Sequence, residues 1–582
     1  MMVFLPEINI VKASGTIYIR ADGTVEGTDK IQRDGNVYTF TDKIYDSIVV
    51  ERDNIVVDGA GYTLQGPFRG IYLENRNNVT IKNLEIKTEL DRYGYAFCIT
   101  LKGCSNITIS GNNITAPYNP QSEVCSVRCI FLEFSSNNII SGNTITSTNN
   151  DYGLSLNDSP NNTITNNKFI SCGLSVGNSY QNNVANNTVN DKPLVYLEGV
   201  SDYVIDDAAQ VTLVNCNNME VKNLVLPIVG IQLLRTNNTE IANNEADIYL
   251  ENSSRNDISG NKGSIKLVYS ENNNISGNSG GISLSSSSNN VVSGNEGSIL
   301  TSYCSNISIV GNNLGGIDLQ NSGHFLILGN NIKGNGKGEG ILLSFSSYST
   351  ICNNVITKHN YGFYLYAAGG NTIYENNIID NNDQVASWYS TNVWDNGSKG
   401  NYWSDYTGND TDHDGIGDSP YIIAIQGSVP AANDQDRYPL MNPVVIAEFP
   451  DTMPPAISIA SPENKTYTTT DVPLNFTVTE SVSWIAYSLD GQTNVTITGD
   501  IILTGLSDGP HSLIVYANDT DGNAGASETI YFSVSQPEPF PTTWIVAAIA
   551  IIAVVGAALM VYFVKGKKTP GKAEKIMPEA VK

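Results

Sequence analysis

The chain has 582 residues, with 58 acidic against 32 basic side chains and a net charge of −26. That balance excludes nucleic acid as a partner, because its phosphates demand a basic face. The 51 glycines, with abundant Asn, Ser and Thr, suit an extracellular body, and length alone overcounts domains in a solenoid, which lengthens without thickening.

Residues 1–60 carry no repeat, yet 47–50 and 54–59 alternate faces at period 2, so this segment is expected to start and cap a β structure. Residues 1–10 include Glu7, no basic n-region and too short an apolar run for export. The natural start is therefore expected to be misplaced or missing.

From Asn83 to Asn377 one phrase recurs, closed by the second residue of a Gly-Asn, Asn-Asn or Lys-Asn pair. It falls at Asn83, Asn112, Asn143, Asn167, Asn187, Asn223, Asn244, Asn261, Asn278, Asn295, Asn312, Asn330, Asn354 and Asn377. The spacing is 17 from Asn244 to Asn312 and 18–36 elsewhere, as for one turn of a coil with inserted loops, here near 87–97, 115–128 and 188–215. Runs such as Gly281-Ile282-Ser283-Leu284 have strand periodicity. A unit this short buries its apolar edge only by stacking on its neighbours, so residues 61–400 are expected to form a right-handed parallel β-helix with asparagines at its corners.

The cysteines recur in columns: Cys98 with Cys129, and Cys104 with Cys216 and Cys304. Small buried side chains are expected there, with a Cys98–Cys129 or Cys125–Cys129 bridge as the alternative.

Residues 401–446 read as a C-terminal cap. Asp410, Asp412 and Asp414 alternate, Gly415 follows, and Asp418 stands ninth, as in the first three quarters of an EF-hand type loop. With the Ile416 carbonyl these supply five hard oxygens for structural Ca²⁺. Tyr421 occupies the place of the bidentate Glu, leaving Asp434 or Asp436 as a further ligand.

Residues 455–535 show short alternating runs around Trp484, the pattern of an immunoglobulin-like β-sandwich. Asp519 to Asn523 read as a hairpin turn. A proline-rich spacer, 536–543, leads to an uncharged stretch, 544–564, long enough for a transmembrane helix. Six lysines in the 565–582 tail place it in the cytoplasm. The fold class expected is thus all-β, a β-helix then a sandwich, with one C-terminal transmembrane helix. The localisation expected is single-pass in the cell membrane, with the body extracellular.

The Asn-x-Ile-x-x-Gly-Asn units, Gly-Asn-Tyr-Trp-Ser-Asp-Tyr at 400–406 and Asp-Gly-Ile-Gly-Asp-Ser-Pro-Tyr at 414–421 resemble β-helix proteins of the NosD type, found in many archaeal surface proteins. The resemblance covers about 50–445 and implies a pectate-lyase-like fold. It transfers function poorly, because the repeat serves both binding proteins and carbohydrate enzymes.

Three function classes compete. The main expectation is a membrane-anchored, non-catalytic surface protein for display, adhesion or glycan binding, with Tyr361, Tyr364, Tyr366, Trp388, Tyr389 and Trp394 supplying aromatic area for sugars. Sequons at Asn78, Asn106, Asn113, Asn161, Asn237, Asn274, Asn306, Asn464, Asn475, Asn494 and Asn518 offer glycosylation sites. The alternative is a polysaccharide lyase or glycoside hydrolase, which needs acids on one outward stripe. The outward places are Tyr72, Thr100, Phe131, Ser155, Ser175, Gln232, Tyr249, Lys266, Ser283, Leu300, Asp318, Leu342 and Tyr364, with Asp318 the one acid. Off that stripe the candidates are Arg69, Arg76, Asp91, Arg92, Glu123 and Arg128. A copper-handling accessory, suggested only by the family's name, lacks clustered Met, His and Cys, since His324, His359, His413 and His511 are scattered.

Overall fold

The computed structural model describes residues 15–116, 127–147, 152–427, 432–446, 455, 457–478, 482–520, 523–536 and 542–565. It divides into two compact units, Met1–Met453 and Pro454–Lys582. In the first, short strands stack in parallel, coil upon coil. Ile282–Ser285 pairs with Ile265–Val268 on one side and with the strand Glu296–Ser302 on the other, with Ile265, Ile282 and Ile299 in one row. In the same coil Val291–Ser293 pairs with Asn274–Ser276 and Ser308–Val310. Ile282, Leu284 and Val292 point inward and are buried, and Ser283 lies between two of them on the outer face. This is the parallel, stacked architecture that the repeat predicts.

The corners are held by ladders of buried amides. Asn244, Asn261, Asn278, Asn295 and Asn312 each donate Nδ2–H to the Oδ1 of the next, at 2.8–3.0 Å. The left-handed residue is the one before, Asn243, Gly260, Gly277, Gly294 or Gly311. The pair therefore divides the work: its first member turns the chain, where only Gly and Asn fit easily, and its second ties coil to coil. Three of the fourteen expected positions fall off the ladder. Asn83 and Asn223 are themselves left-handed, and Asn377 exchanges bonds with Val444 while Asn376 takes the rung.

A second ladder runs through Ser and Thr hydroxyls, and cysteines replace them there. Cys216 N–H donates to Thr236 Oγ1, Ser253 and Ser270 follow, and Ser287 N–H donates to Cys304 Sγ. All seven described cysteines are buried thiols, Cys98 and Cys129 included, so the Cys98–Cys129 bridge does not form. Cys125 lies outside the described residues.

The segment 188–215, expected as a loop, carries the strands Lys192–Glu198, Ser201–Ile205 and Gln210–Val214. It joins two apolar cores, one from Ile17 to Leu234 and one from Ile205 to Ile423. There the Gln210 side chain stands in for a strand, its Oε1 accepting from Leu174 N–H at 2.9 Å and its Nε2 donating to Leu174 O.

At the C-terminal end two buried acids close the ladders. Asp436 Oδ2 accepts from Asn401 N–H at 2.7 Å and Trp403 Nε1–H at 2.8 Å, and Asp434 Oδ2 accepts from Asn392 N–H at 2.6 Å and Trp394 Nε1–H at 3.3 Å. Asp395 is held by a two-pronged Arg437 at 2.6 and 2.9 Å, which keeps its carboxyl below the usual range.

The second unit packs two mainly antiparallel sheets around Val472, Leu474, Leu513, Val515 and Phe532. Trp484 lies toward its surface, only half-buried, with Nε1 donating to Thr496 Oγ1. A helix follows at Thr542–Lys565, whose side chains are described for 549–562. Among the described residues no helix is long and apolar enough to cross a membrane. The expected transmembrane helix, the single-pass localisation, the membrane as partner and the membrane-anchored display function are corrected accordingly. The spacer residues 537–541 and the tail 566–582 lie outside the described residues.

Candidate functional site

The outer face of the longest sheet carries the expected stripe in register from Gln232 to Tyr364, while its first five residues, Tyr72 to Ser175, share a row on another sheet. Leu300 pairs with Asp318, Asp318 with Leu342 and Leu342 with Tyr364. Asp318 is therefore set between two leucines, where water solvates a carboxylate poorly. Its Oδ2 accepts from Gln320 Nε2 at 3.0 Å, while its Oδ1 is shut off from solvent with no hydrogen-bond partner among the described residues. Desolvation raises its pKa above the ordinary aspartate value, because the neutral form leaves less charge stranded. A half-buried acid with a raised pKa on an outward stripe can hold and deliver a proton. Glu339 opens the adjacent strand three residues before Leu342, its Cα about 11 Å from that of Asp318 at 3.3 Å per residue and 4.8 Å per strand. Farther along, Glu339, Tyr361 and Asp383 form one row.

The aromatic end is divided by burial. Trp394 is fully buried, packed edge-on against Phe363 at 5.6 Å and beside Trp403, so it is removed from any sugar-facing surface. Tyr361, Tyr364 and Trp388 are half-buried, and Tyr366 is exposed. Tyr361 and Tyr364 meet edge-on at 5.5 Å.

The remaining candidates make local contacts near the N-terminal end, and the fold does not gather them around Asp318. Arg69 lies over the Tyr72 ring at 5.2 Å, Arg92 over Tyr93 at 4.6 Å and Arg128 over Phe131 at 4.5 Å. Arg76 donates to Glu51 O at 2.8 Å, and Asp91 caps a turn by accepting from Tyr93 and Tyr95 N–H. Glu123 lies outside the described residues. Of the sequon asparagines, Asn237 and Asn518 are half-buried and the other nine exposed.

In the acidic loop, one carboxylate oxygen from each of Asp410, Asp412 and Asp414 lies within 4.8 Å of the others. The loop is wound by its own acids: Asp410 accepts from Asp414 and Gly415 N–H, and Asp414 from Ile416 N–H at 2.8 Å. Asp418 turns instead to Thr411, accepting from its N–H at 2.9 Å. Asp434 and Asp436, considered as further ligands, are committed to the ladder ends. The three converging aspartates suit a hard cation with oxygen ligands.

A family model described as periplasmic copper-binding protein (NosD) matches residues 211–408, and one described as right handed beta helix region matches 47–218. Halomucin of Haloquadratum walsbyi is 37% identical over 101 residues, 16% of this chain and 1% of that protein. A probable ABC transporter binding protein NosD of Stutzerimonas stutzeri is 37% identical over 95 residues, 16% of this chain and 22% of that one. The chain thus matches only a small part of the length of either relative. Among solved structures, the A-module of the Azotobacter vinelandii mannuronan C-5 epimerase AlgE6 aligns at 14% identity and TM-score 0.21, over 60% of this chain and 90% of that one. A tailspike protein of an E. coli bacteriophage, in complex with pentasaccharide, aligns at 12% and 0.22, over 89% and 86%. At such TM-scores neither contributes a site or an activity. As for copper, the one group of three or more His, Cys, Asp and Glu placed to share an ion among the described residues is the aspartate trio, whose hard donors favour other metals. The chain is a NosD-like, right-handed β-helix protein, matching the NosD model over residues 211–408 and the β-helix model over residues 47–218.

Proposed function

We propose that the β-helix processes polysaccharide, as a lyase or glycoside hydrolase, with Asp318 as its proton donor. The observation that supports this is the Asp318 carboxyl, with one oxygen stranded and its pKa raised on the outward stripe. As the glycosidic C–O bond breaks, the leaving oxygen keeps the bonding pair and takes the Asp318 proton. A second carboxylate then serves as base, toward water in hydrolysis or toward a sugar C–H in elimination. Glu339 is the nearest acid along the sheet for that role. Because Asp318 must be protonated to act, turnover is expected to fall as pH rises through its raised pKa. The test is release of reducing ends, or of unsaturated products, from a panel of neutral and acidic polysaccharides across the acid to neutral range. Release from at least one is expected, and none from any would overturn the reading.

We infer that Asp410, Asp412 and Asp414 hold a structural calcium ion that pins the C-terminal cap. The loop lies against that cap through the Ile416–Leu440 bridge and Met441 N–H to Gly415 O at 3.0 Å. Calcium at about a hundred times its Kd would add about 2.7 kcal/mol. Calorimetry is expected to show binding heat, with a melting temperature that drops on chelation. A flat titration and an unmoved melting temperature would reject the site.

A further inference from the structure

Directly after each strand that carries a residue of the outward stripe stands a residue in left-handed backbone. In the later coils these are Tyr269, Ser286, Tyr303, Asn321, Phe345, Ala367 and Tyr389, with φ between 47° and 56°. Backbone bonds order them coil by coil, from Tyr269 N–H to Ser285 O, Ser286 to Ser302, Tyr303 to Gln320, Asn321 to Ser344, Phe345 to Tyr366 and Ala367 to Trp388. Every second place is aromatic. Tyr269, Tyr303, Phe345 and Tyr389 are 57–66% exposed, and the places between them hold Ser, Asn and Ala.

A bulky side chain is the poorest choice for left-handed backbone, and asparagine fills the equivalent place at Asn215 and Asn252. Rings that are both strained and solvent-facing do little for the core, so the outlier points to function. Two coils at about 4.8 Å each separate successive rings by about 9.6 Å. Such a ruler fits a ligand whose flat faces return at constant intervals, as the sugar rings of an extended polysaccharide do from one disaccharide to the next. The coil of Asp318 ends at Asn321, midway between the coils of Tyr303 and Phe345.

We propose that Tyr269, Tyr303, Phe345 and Tyr389 form a stacking track for an extended polysaccharide lying parallel to the coil axis, one ring per disaccharide, with Asp318 at mid-course. The track takes its ligand class from the polysaccharide reading but does not depend on turnover. Its test uses Tyr303→Asn and Phe345→Asn, which remove a ring while supplying a residue that this backbone accepts, so the fold is kept. Retention of the full chain is measured in affinity gels containing hydroxyethyl cellulose, galactomannan or xylan. Wild type is expected to be retained by at least one, and each single variant to bind roughly ten-fold more weakly. Equal retention of wild type and both Asn variants overturns the track while leaving the catalytic reading standing, as does wild type that passes all three gels unretained yet releases product. Retention lost in the variants, with no product from wild type, upholds the track and removes the catalytic reading.

Discussion

Replacing Asn278 by alanine is expected to destabilise the β-helix by on the order of 4 kcal/mol. The side chain is buried, donating Nδ2–H to Ile258 O at 2.9 Å, Ser276 O at 3.0 Å and Asn295 Oδ1 at 2.9 Å, while its Oδ1 accepts from Asn261 N–H at 2.9 Å and Nδ2–H at 3.0 Å. Alanine would leave donors and acceptors of two neighbouring coils unpaired and out of reach of water, each costing about 1–3 kcal/mol. Asn274, in the same coil, is exposed and bonds Asp257 at 3.0 Å; its alanine variant is expected to stay within about 0.5 kcal/mol. Urea midpoints of the two variants check the contrast. Equal shifts would mean that the ladder adds nothing beyond an ordinary surface bond.

The second large effect is expected at the ladder end. Asp436→Ala removes the acceptor of Asn401 N–H, Trp403 Nε1–H and Tyr438 N–H, for a loss of about 3 kcal/mol. Burial pushes the Asp436 carboxyl up to about 6, so the folded state holds this proton more tightly than the unfolded chain does. The contribution from that difference, about 3 kcal/mol at 1.36 per pKa unit, is complete below about pH 4 and is lost as pH rises through about 6. The penalty of Asp436→Ala should therefore be larger at pH 4.5 than at pH 7.5. Unfolding followed by tryptophan fluorescence measures it, and a penalty that grows with pH would contradict the assignment.

Much of the coil could be read from the sequence because each coil repeats the same demands. Period-2 runs placed Tyr72, Thr100, Phe131, Ser155 and Ser175 in one row and the eight outward residues from Gln232 to Tyr364 in another, and the Gly-Asn pair marked both the turn and the rung, though which residue did which needed the backbone angles. The ladder ends were not legible, because Asp434 and Asp436 meet Asn392 and Asn401 only through the fold, 42 and 35 residues away. Trp394 was misplaced for the same reason: an aromatic near the rod's end packs inward or outward according to a closure that no local pattern encodes. The membrane span expected at 544–564 was read from its uncharged length and the lysines after it, whereas among the described residues no helix is long and apolar enough to cross a membrane. Asp318 stood out as the one acid on its stripe, but its stranded oxygen depends on Leu300 and Leu342 one coil to either side. The aromatic track was present as four rings at fixed offsets from the outward column, masked because that position is filled elsewhere by ordinary turn residues.

The most direct measurement of the central claim is turnover by Asp318→Asn on whichever polysaccharide wild type degrades. The substitution keeps shape and removes the proton to be donated, so the account predicts an unchanged melting temperature and a rate lower by about a hundred-fold or more. A variant that degrades polysaccharide as fast as wild type would contradict it.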